Sequence, residues 1–587
     1  MNKIEQDILL CLKQDEKITQ RDLSKKIGCS VGMVNKSINN LYKDQWLNEL
    51  GQLTDKALLE INKNKPQSAI ILAAGKGLRM VPINKDISKG FLKIKGTTII
   101  ENIIEKLIVV GIRQIVIVVG YRKEEYEYLI DKYNVKLIVN PHYNEKNNFY
   151  SFYLARKYLC NSYIIPCDVW YDFNIFQNNE LYSSYYFSDE MSISNYLIHK
   201  NFKLSISKQS VESNRPLSIG YLNYDDSKLL LNKLESVDEV MFLKKHYYWE
   251  DFVIENLDNV FAKKMKNQFM EINTFEDLRN ADDHSESLYT DVIKIIVNTL
   301  KVNVWNIKNI TLSKKGMTNN SFLFEIGNEK YIMRIPGEGT DRLINRFEEG
   351  QVYEQIKNYK ISDEVIYFNN TNGYKLTKFI KQSRNCDPNN EDDLILCMDT
   401  LRNFHNLNLK VNHIFDLYDK ISFYEELMGM KSLYSDYAET KKNILSLKTY
   451  INKIEKKWTL THIDAVPDNF LIYEQDGYLK VRLIDWEYAS MQDGHVDIAM
   501  FCIYALYDRV QVDHLIDIYF ENNCSKEIRF KIYCYIATCG LLWSNWCEYK
   551  YHLGIEFGEY SLAQYRYAKE YYKIAMNYME ENKICIK

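Results

Sequence analysis

The segment SAIILAAGKGLRM at residues 68–80 constrains this chain more than any other stretch. Its apolar run is short and lacks polar alternation, the pattern of a strand covered on both faces. It opens directly onto Gly75-Lys76-Gly77, small residues that bring backbone N–H groups close to an anion. IIENIIEKLIVVG follows with helical periodicity, then the strand-sized runs IRQIVIVVGY, VKLIVNPHY and NSYIIPCDVWY. Strands alternating with helices of these lengths predict a parallel-rich α/β sheet with crossover helices.

The flanks follow other patterns. Residues 1–65 read as helices: Ile4, Ile8, Leu9 and Leu12 form one stripe, and Thr19 caps a helix carrying Leu23 and Ile27. Gly28 stops that helix, a third helix carries Val34, Ile38 and Leu41, and LNELGQLTDKA predicts a small wing. Pro66 marks the break to the α/β segment, 66–285, which closes in the polar stretch 277–288, read as a linker. From 286 to 587 strands come first and helices after, an α+β order. The expectation is thus a multidomain α/β and α+β chain, suited to a length of 587 residues.

Composition narrows the classes. A formal charge of -4 excludes a chain coated in basic charge, and 46% hydrophobic residues exclude a mostly disordered one. The 46 tyrosines beside 22 glycines and 8 prolines fit a coding bias better than a function. The 12 cysteines form no C-x-x-C pair, so free thiols in a reducing cytoplasm are expected. The longest apolar runs are strand-sized, which predicts no membrane insertion.

Chemistry concentrates at three places. In THIDAVPDNFLI, Asp464 precedes Asn469 by five residues, and an apolar strand then ends at Asp485 in LIDWEYAS. Phosphoryl transfer needs such a set: one carboxylate to orient the hydroxyl proton, and an Asn and an Asp to hold Mg2+. In the Gly loop, Arg79 brings positive charge to a triphosphate. Between residues 17 and 43, Lys17, Arg21, Lys25, Lys26, Lys36 and Lys43 face one acid, Asp22. Ser30, Asn35, Lys36 and Asn39 are candidate DNA contacts there; a protein-docking role stays open.

These motifs carry resemblances. Residues 1–65 resemble the winged helix-turn-helix of bacterial regulators. The run Leu72-Ala73-Ala74-Gly75-Lys76-Gly77-Leu78-Arg79 matches the nucleotide-binding loop of sugar-phosphate-type nucleotidyltransferases. With Asn147-Asn148-Phe149-Tyr150-Ser151, the segment resembles bacterial CTP:phosphocholine cytidylyltransferases, which have a Rossmann-like fold. The resemblance implies a phosphate-binding Lys89, where Ser88 replaces the usual proline, and Asp168 as a Mg2+ ligand. The family's E-I-D motif reads Glu271-Ile272-Asn273 here, so Asn273 brings a carbonyl oxygen where a carboxylate is usual. Glu271 and Asp251 are the carboxylates able to compensate. For a quaternary ammonium group, aromatic faces and carboxylates are required; Tyr150, Trp249, Glu250, Asp251 and Glu271 are the candidates.

The third segment resembles choline and aminoglycoside kinases, relatives of the protein-kinase fold. That implies Asp464 as base, Asn469 and Asp485 as metal ligands, and Gly316-Met317-Thr318-Asn319-Asn320 as a loop over the ATP phosphates. Arg334 takes the phosphate-contacting place, with Glu349 as its helix partner. Glu487, Tyr488, Trp543 and Trp546 are implied on the choline side, the tryptophans three apart on one helix face. Together the resemblances imply choline phosphorylation by ATP, then CMP transfer from CTP to phosphocholine, giving CDP-choline for surface glycans. The same chemistry on ethanolamine, and a regulator with a degenerate middle domain, stay as alternatives. The oligomeric state is left open.

Overall fold

A computed structural model describes residues 1–83, 87–244, 246–265, 269–313, 319–337, 340–429 and 431–584. The chain forms two compact units, Met1–Asn298 and Thr299–Lys587.

The first unit begins with helices α1 (Lys3–Gln14), α2 (Gln20–Ile27), α3 (Val31–Lys43) and α4 (Asp55–Lys63). Thr19 and Ser30 cap α2 and α3 through their hydroxyls, and Gly28 ends α2 at φ 73°, a left-handed position that favours glycine. The expected wing is one bridge, Leu47 to Leu53; Thr54 caps α4, so the TDKA of that segment is helix instead. The apolar faces of Ile8, Leu9, Leu23, Val34 and Ile61 close over Leu181, Tyr182 and Phe261 of the α/β region. Across that seam the Tyr182 hydroxyl donates to Asp7 at 2.6 Å and Asn161 Nδ2 to the Lys63 carbonyl at 2.7 Å. The helical head and the α/β region therefore share one core.

The α/β region is built on β1 (Ser68–Ala73), β2 (Gln114–Val119), β3 (Lys136–Val139), β4 (Ser162–Pro166), β5 (Ser184–Ile198), β6 (Leu204–Leu222) and β7 (Phe261–Met265). Their order in the sheet is β7-β5-β6-β4-β1-β2-β3. β1 pairs in parallel with both β2 and β4, Ile70 lying level with Val116 and Ile164. This is why the 68–73 run is apolar throughout: its side chains are covered on both faces. The antiparallel β5–β6 pair is buried at its base, while Met191 and Ile193 are exposed further out.

The 277–288 stretch is not a free linker. Thr274 and Asp277 form a capping box on helix Phe275–Ala281, the Lys95 N–H donates to Asp282 at 2.7 Å, and the Lys93 N–H donates to Ser287 at 3.1 Å. Its acids cap and anchor structure, which composition reads as linker polarity.

In the second unit, strands Ile307–Leu312, Asn319–Ile326, Glu329–Pro336, Lys375–Lys378 and Val365–Phe368 form an antiparallel sheet in that order. Helix Arg346–Ile356 and the hairpin Phe470–Gln475 with Tyr478–Leu483 accompany it, followed by helices. The helices Lys526–His552 and Glu559–Glu581 cross at Gly540, where a Cβ would lie 2.8 Å from backbone atoms of Gln564 and Ala568. Among the described residues no helix is long and apolar enough to cross a membrane.

Candidate active sites

In the first unit, the loop after β1 borders a cleft of about 480 Å3. Gly77, at φ 59°, turns the chain into the short helix carrying Arg79. Leu72, Ala73, Ala74, Gly75, Gly77, Arg79, Lys89, Asp168 and Asn273 all line this cleft. Lys89 Nζ donates to Asp168 at 2.8 Å and to Asn273 Oδ1 at 2.7 Å, and Arg79 reaches the same Asn273 oxygen at 3.1 Å. Asn273 Nδ2 donates to Glu271, which is ion-paired with Arg215. That contact turns the amide so that its oxygen faces the cations. Two oxygen donors converging on one ammonium form a set suited to a hard divalent cation.

Other candidates lie elsewhere. Tyr150 is half-buried with the Lys146 ammonium 4.2 Å above its ring. Trp249 sits in the core against Phe152 and Tyr185, and Asp251 accepts from the Tyr196 hydroxyl at 2.9 Å. Glu250 is buried beneath Tyr185 and Ser218, and burial pushes its carboxyl up to about 7. None of Tyr150, Trp249, Asp251 and Glu271 lines the cleft; Lys146, Tyr143 and Lys76, which no sequence motif singles out as ligands, do. The aromatic-carboxylate pattern of 246–252 is that of a helix N-terminus packed on a sheet, and its spacing alone does not separate core from ligand wall.

In the second unit, Asp464 and Asn469 lie side by side: Asn469 Nδ2 donates to the Asp464 carbonyl at 2.8 Å and its carboxylate at 3.1 Å. Ile463 and Asp485 both have positive φ, 69° and 66°, costly for residues with a Cβ. Burial, with Glu487 nearby, raises the Asp464 carboxyl to about 7 and holds that of Asp485 well above the usual range. Such crowded carboxyls, with an Asn oxygen beside them, fit a divalent cation. Among the described residues no three His, Cys, Asp or Glu side chains form a metal cluster; both sets rely on an asparagine.

Arg334 meets Glu349 at 2.6 Å and lies 3.5 Å from Asp485. Asn319 donates to Glu487 at 3.0 Å; Gly316, Met317 and Thr318 of the same loop lie outside the described residues. Glu487 is held by Arg346 at 3.1 Å, and Arg346 also binds Glu349 at 2.7 Å. Arg346 was not singled out from the sequence, although its place three residues before Glu349 on a helix is the available signal. Tyr488 and Trp543 meet edge to face at 6.4 Å, Phe415 also stands 6.4 Å from Tyr488, and Trp546 packs on Phe557.

Asp497 was also missed. Fully buried, it accepts from the Ile463 N–H at 2.7 Å, the His462 N–H at 3.0 Å and His405 Nε2 at 2.9 Å. It thereby holds the strained turn before Asp464. The signal was a single acid inside the apolar helix HVDIAMFCIY. His462 itself is kept neutral, burial lowering it to about 4, and its Nε2 faces the Ile484 carbonyl.

On the outer face of α3, Asn35, Lys36 and Asn39 are exposed; Asn35 bonds Gln20 at 3.3 Å, Asn39 bonds Asn35 at 3.2 Å, and Ser30 serves as the cap.

Residues 310–538 match the family model described as choline/ethanolamine kinase, 69–172 a MobA-like NTP transferase domain, and 1–47 a winged helix-turn-helix DNA-binding model. Choline-phosphate cytidylyltransferase of Streptococcus pneumoniae is 30% identical over 222 residues, 37% of this chain and 96% of that protein. Protein LicA of Haemophilus influenzae is 25% identical over 263 residues, 42% of this chain and 95% of that protein. The crystal structure of choline kinase LicA from Streptococcus pneumoniae is 25% identical with a TM-score of 0.43, covering 49% of this chain and 100% of that one.

Proposed function

This chain belongs to the choline-phosphate cytidylyltransferase family, and from that premise we propose a bifunctional enzyme that phosphorylates choline with ATP and then transfers CMP from CTP to phosphocholine. What carries the reading is coverage: one chain spans 96% of a choline-phosphate cytidylyltransferase and 95% of a LicA protein. The product of the first reaction is the acceptor of the second.

In the kinase reaction Asp464 orients the choline hydroxyl and takes its proton as oxygen attacks the γ-phosphorus and ADP leaves. A carboxyl raised to about 7 is matched to that exchange near neutral pH. Arg334, fixed by Glu349, lies against the ATP phosphates, while Tyr488, Trp543 and Trp546 face the trimethylammonium group. In the second reaction a phosphocholine oxygen, already anionic, attacks the α-phosphorus of CTP and pyrophosphate leaves. Lys89 and Arg79 neutralise the charge that develops there. Asp168 with Asn273, and Asn469 with Asp485, are the groups to hold Mg2+, which supplies charge neutralisation at the phosphoryl oxygens.

A substrate panel tests each half: ADP release should favour choline over ethanolamine, and pyrophosphate release should require phosphocholine and CTP. Equal use of ethanolamine would overturn the choline assignment. We further assign the head a DNA-binding role, on the match of residues 1–47 and the exposed Asn35, Lys36 and Asn39. A gel shift on the chain's own upstream DNA that is unaltered by Lys36→Glu would sink it. A need for ATP and CTP favours the cytoplasm as the enzyme's location.

A further inference from the structure

The helix Lys526–His552 carries Trp543, Trp546 and Lys550 at i, i+3 and i+7, so the three share one face. Lys550 is only 5% exposed, and its ammonium stands 5.6 Å from the centre of the Trp546 ring. Among the described residues its Nζ has no hydrogen-bonded or ion-paired partner. Glu548 is turned away, accepting from the Ser432 hydroxyl at 2.7 Å and the Leu433 N–H at 2.6 Å. Glu487, whose field reaches Lys550, is already held by Arg346 and Asn319. Burial accordingly lowers the lysine below its ordinary range. An ammonium on a buried side chain, with an indole face for its neighbour, sits where a bound cation would sit.

One aromatic face accommodates one cation well, because two like charges a few ångströms apart repel, and more so the less water lies between them. We propose that Lys550 sets the affinity and specificity of the alkylammonium wall by competing with the substrate's ammonium for the Trp546 face. The inference rests on the reading that Trp543 and Trp546 face that ammonium. A cationic substrate enters only as Lys550 withdraws or tolerates it. A trimethylated cation, with more apolar surface to lay on the indole, meets that threshold better than a bare ammonium does.

The test compares choline with its neutral carbon isostere, 3,3-dimethylbutan-1-ol, in the full-length protein. For Lys550→Met the choline KM should fall about tenfold with kcat within about twofold, while inhibition by the neutral isostere moves less than about twofold. Lys550→Arg, which keeps the charge, should stay near the parent. A choline KM that is unchanged or raised in Lys550→Met, or equal tightening of both ligands, would overturn the proposal. Trp546→Ala separates the two readings. If it leaves the choline KM unmoved, the wall assignment fails. If it raises KM while Lys550→Met does nothing, the competition alone fails.

Discussion

Asp497→Asn is the perturbation whose cost the structure lets us work through. The wild-type carboxylate accepts three bonds, from the Ile463 N–H, the His462 N–H and His405 Nε2. The amide keeps one oxygen for Ile463 and turns an NH2 toward the other two. His405 can switch tautomer and accept from it, because its Nδ1 faces a hydroxyl, that of Tyr519, at 2.8 Å. The His462 N–H cannot switch. A buried donor left without an acceptor costs about 1–3 kcal/mol, and neutralising the acceptor weakens the remaining bonds by roughly 1 kcal/mol more. The expected loss is therefore about 2–4 kcal/mol. It falls on the turn at Ile463, which stands at φ 69° and relaxes once released. A shift of about 1 Å in the neighbouring Asp464 would lower kinase kcat roughly 100-fold. Choline-dependent ADP release reads that loss, denaturant unfolding reads the stability, and CMP transfer in the same chain is the internal control. A kinase kcat within about threefold of the parent, or an equal fall in both activities, would show that Asp497 does not position Asp464.

Other perturbations sort by site. Asp464→Asn should lower choline-dependent ADP release about 100- to 10,000-fold and leave pyrophosphate release unchanged; a surviving kinase would remove Asp464 from its role. Asn273→Asp puts a carboxylate where Lys89 and Arg79 now meet a carbonyl oxygen and deprives Glu271 of its donor, so CMP transfer should reach half-maximum at roughly tenfold less Mg2+. No change in that titration would show that Asn273 does not bear on the metal. Glu250, raised to about 7 against a usual 4.5, gives stability that is full below about 4.5 and lost as pH climbs through 7. Glu250→Gln should thus raise the unfolding free energy at pH 8 by on the order of 3 kcal/mol and change little at pH 4.5. Equal effects at both pH values would point to packing instead.

Local patterns were legible in the sequence, and convergences across distance were not. The 68–77 strand and loop carry their geometry in consecutive residues, as do Asp464, Asn469 and Asp485 around one turn and hairpin. Arg334 and Glu349 were paired through the family resemblance, but the second arginine that binds Glu349 and Glu487 lies outside any motif. Asp497 acts through backbone N–H groups some 34 residues earlier, a relation that no periodicity records. Trp249 looked like a ligand face because aromatic and acidic residues cluster around it, yet the helix turns it into the core. The acids of 277–288 look like a linker because capping and solvation use the same residue types. The tyrosine excess, in turn, is partly structural: several buried hydroxyls find carboxylates, as Tyr163 finds Glu180 at 2.9 Å.

One chain, on this reading, performs both transfers in sequence. A 31P NMR time course of the full-length protein with choline, ATP, CTP and Mg2+ tests it most directly. Phosphocholine should rise and then fall as CDP-choline accumulates, with one ADP and one pyrophosphate formed per CDP-choline. ADP and phosphocholine building up without pyrophosphate would leave the chain a kinase alone, and no phosphocholine at all would remove the kinase activity.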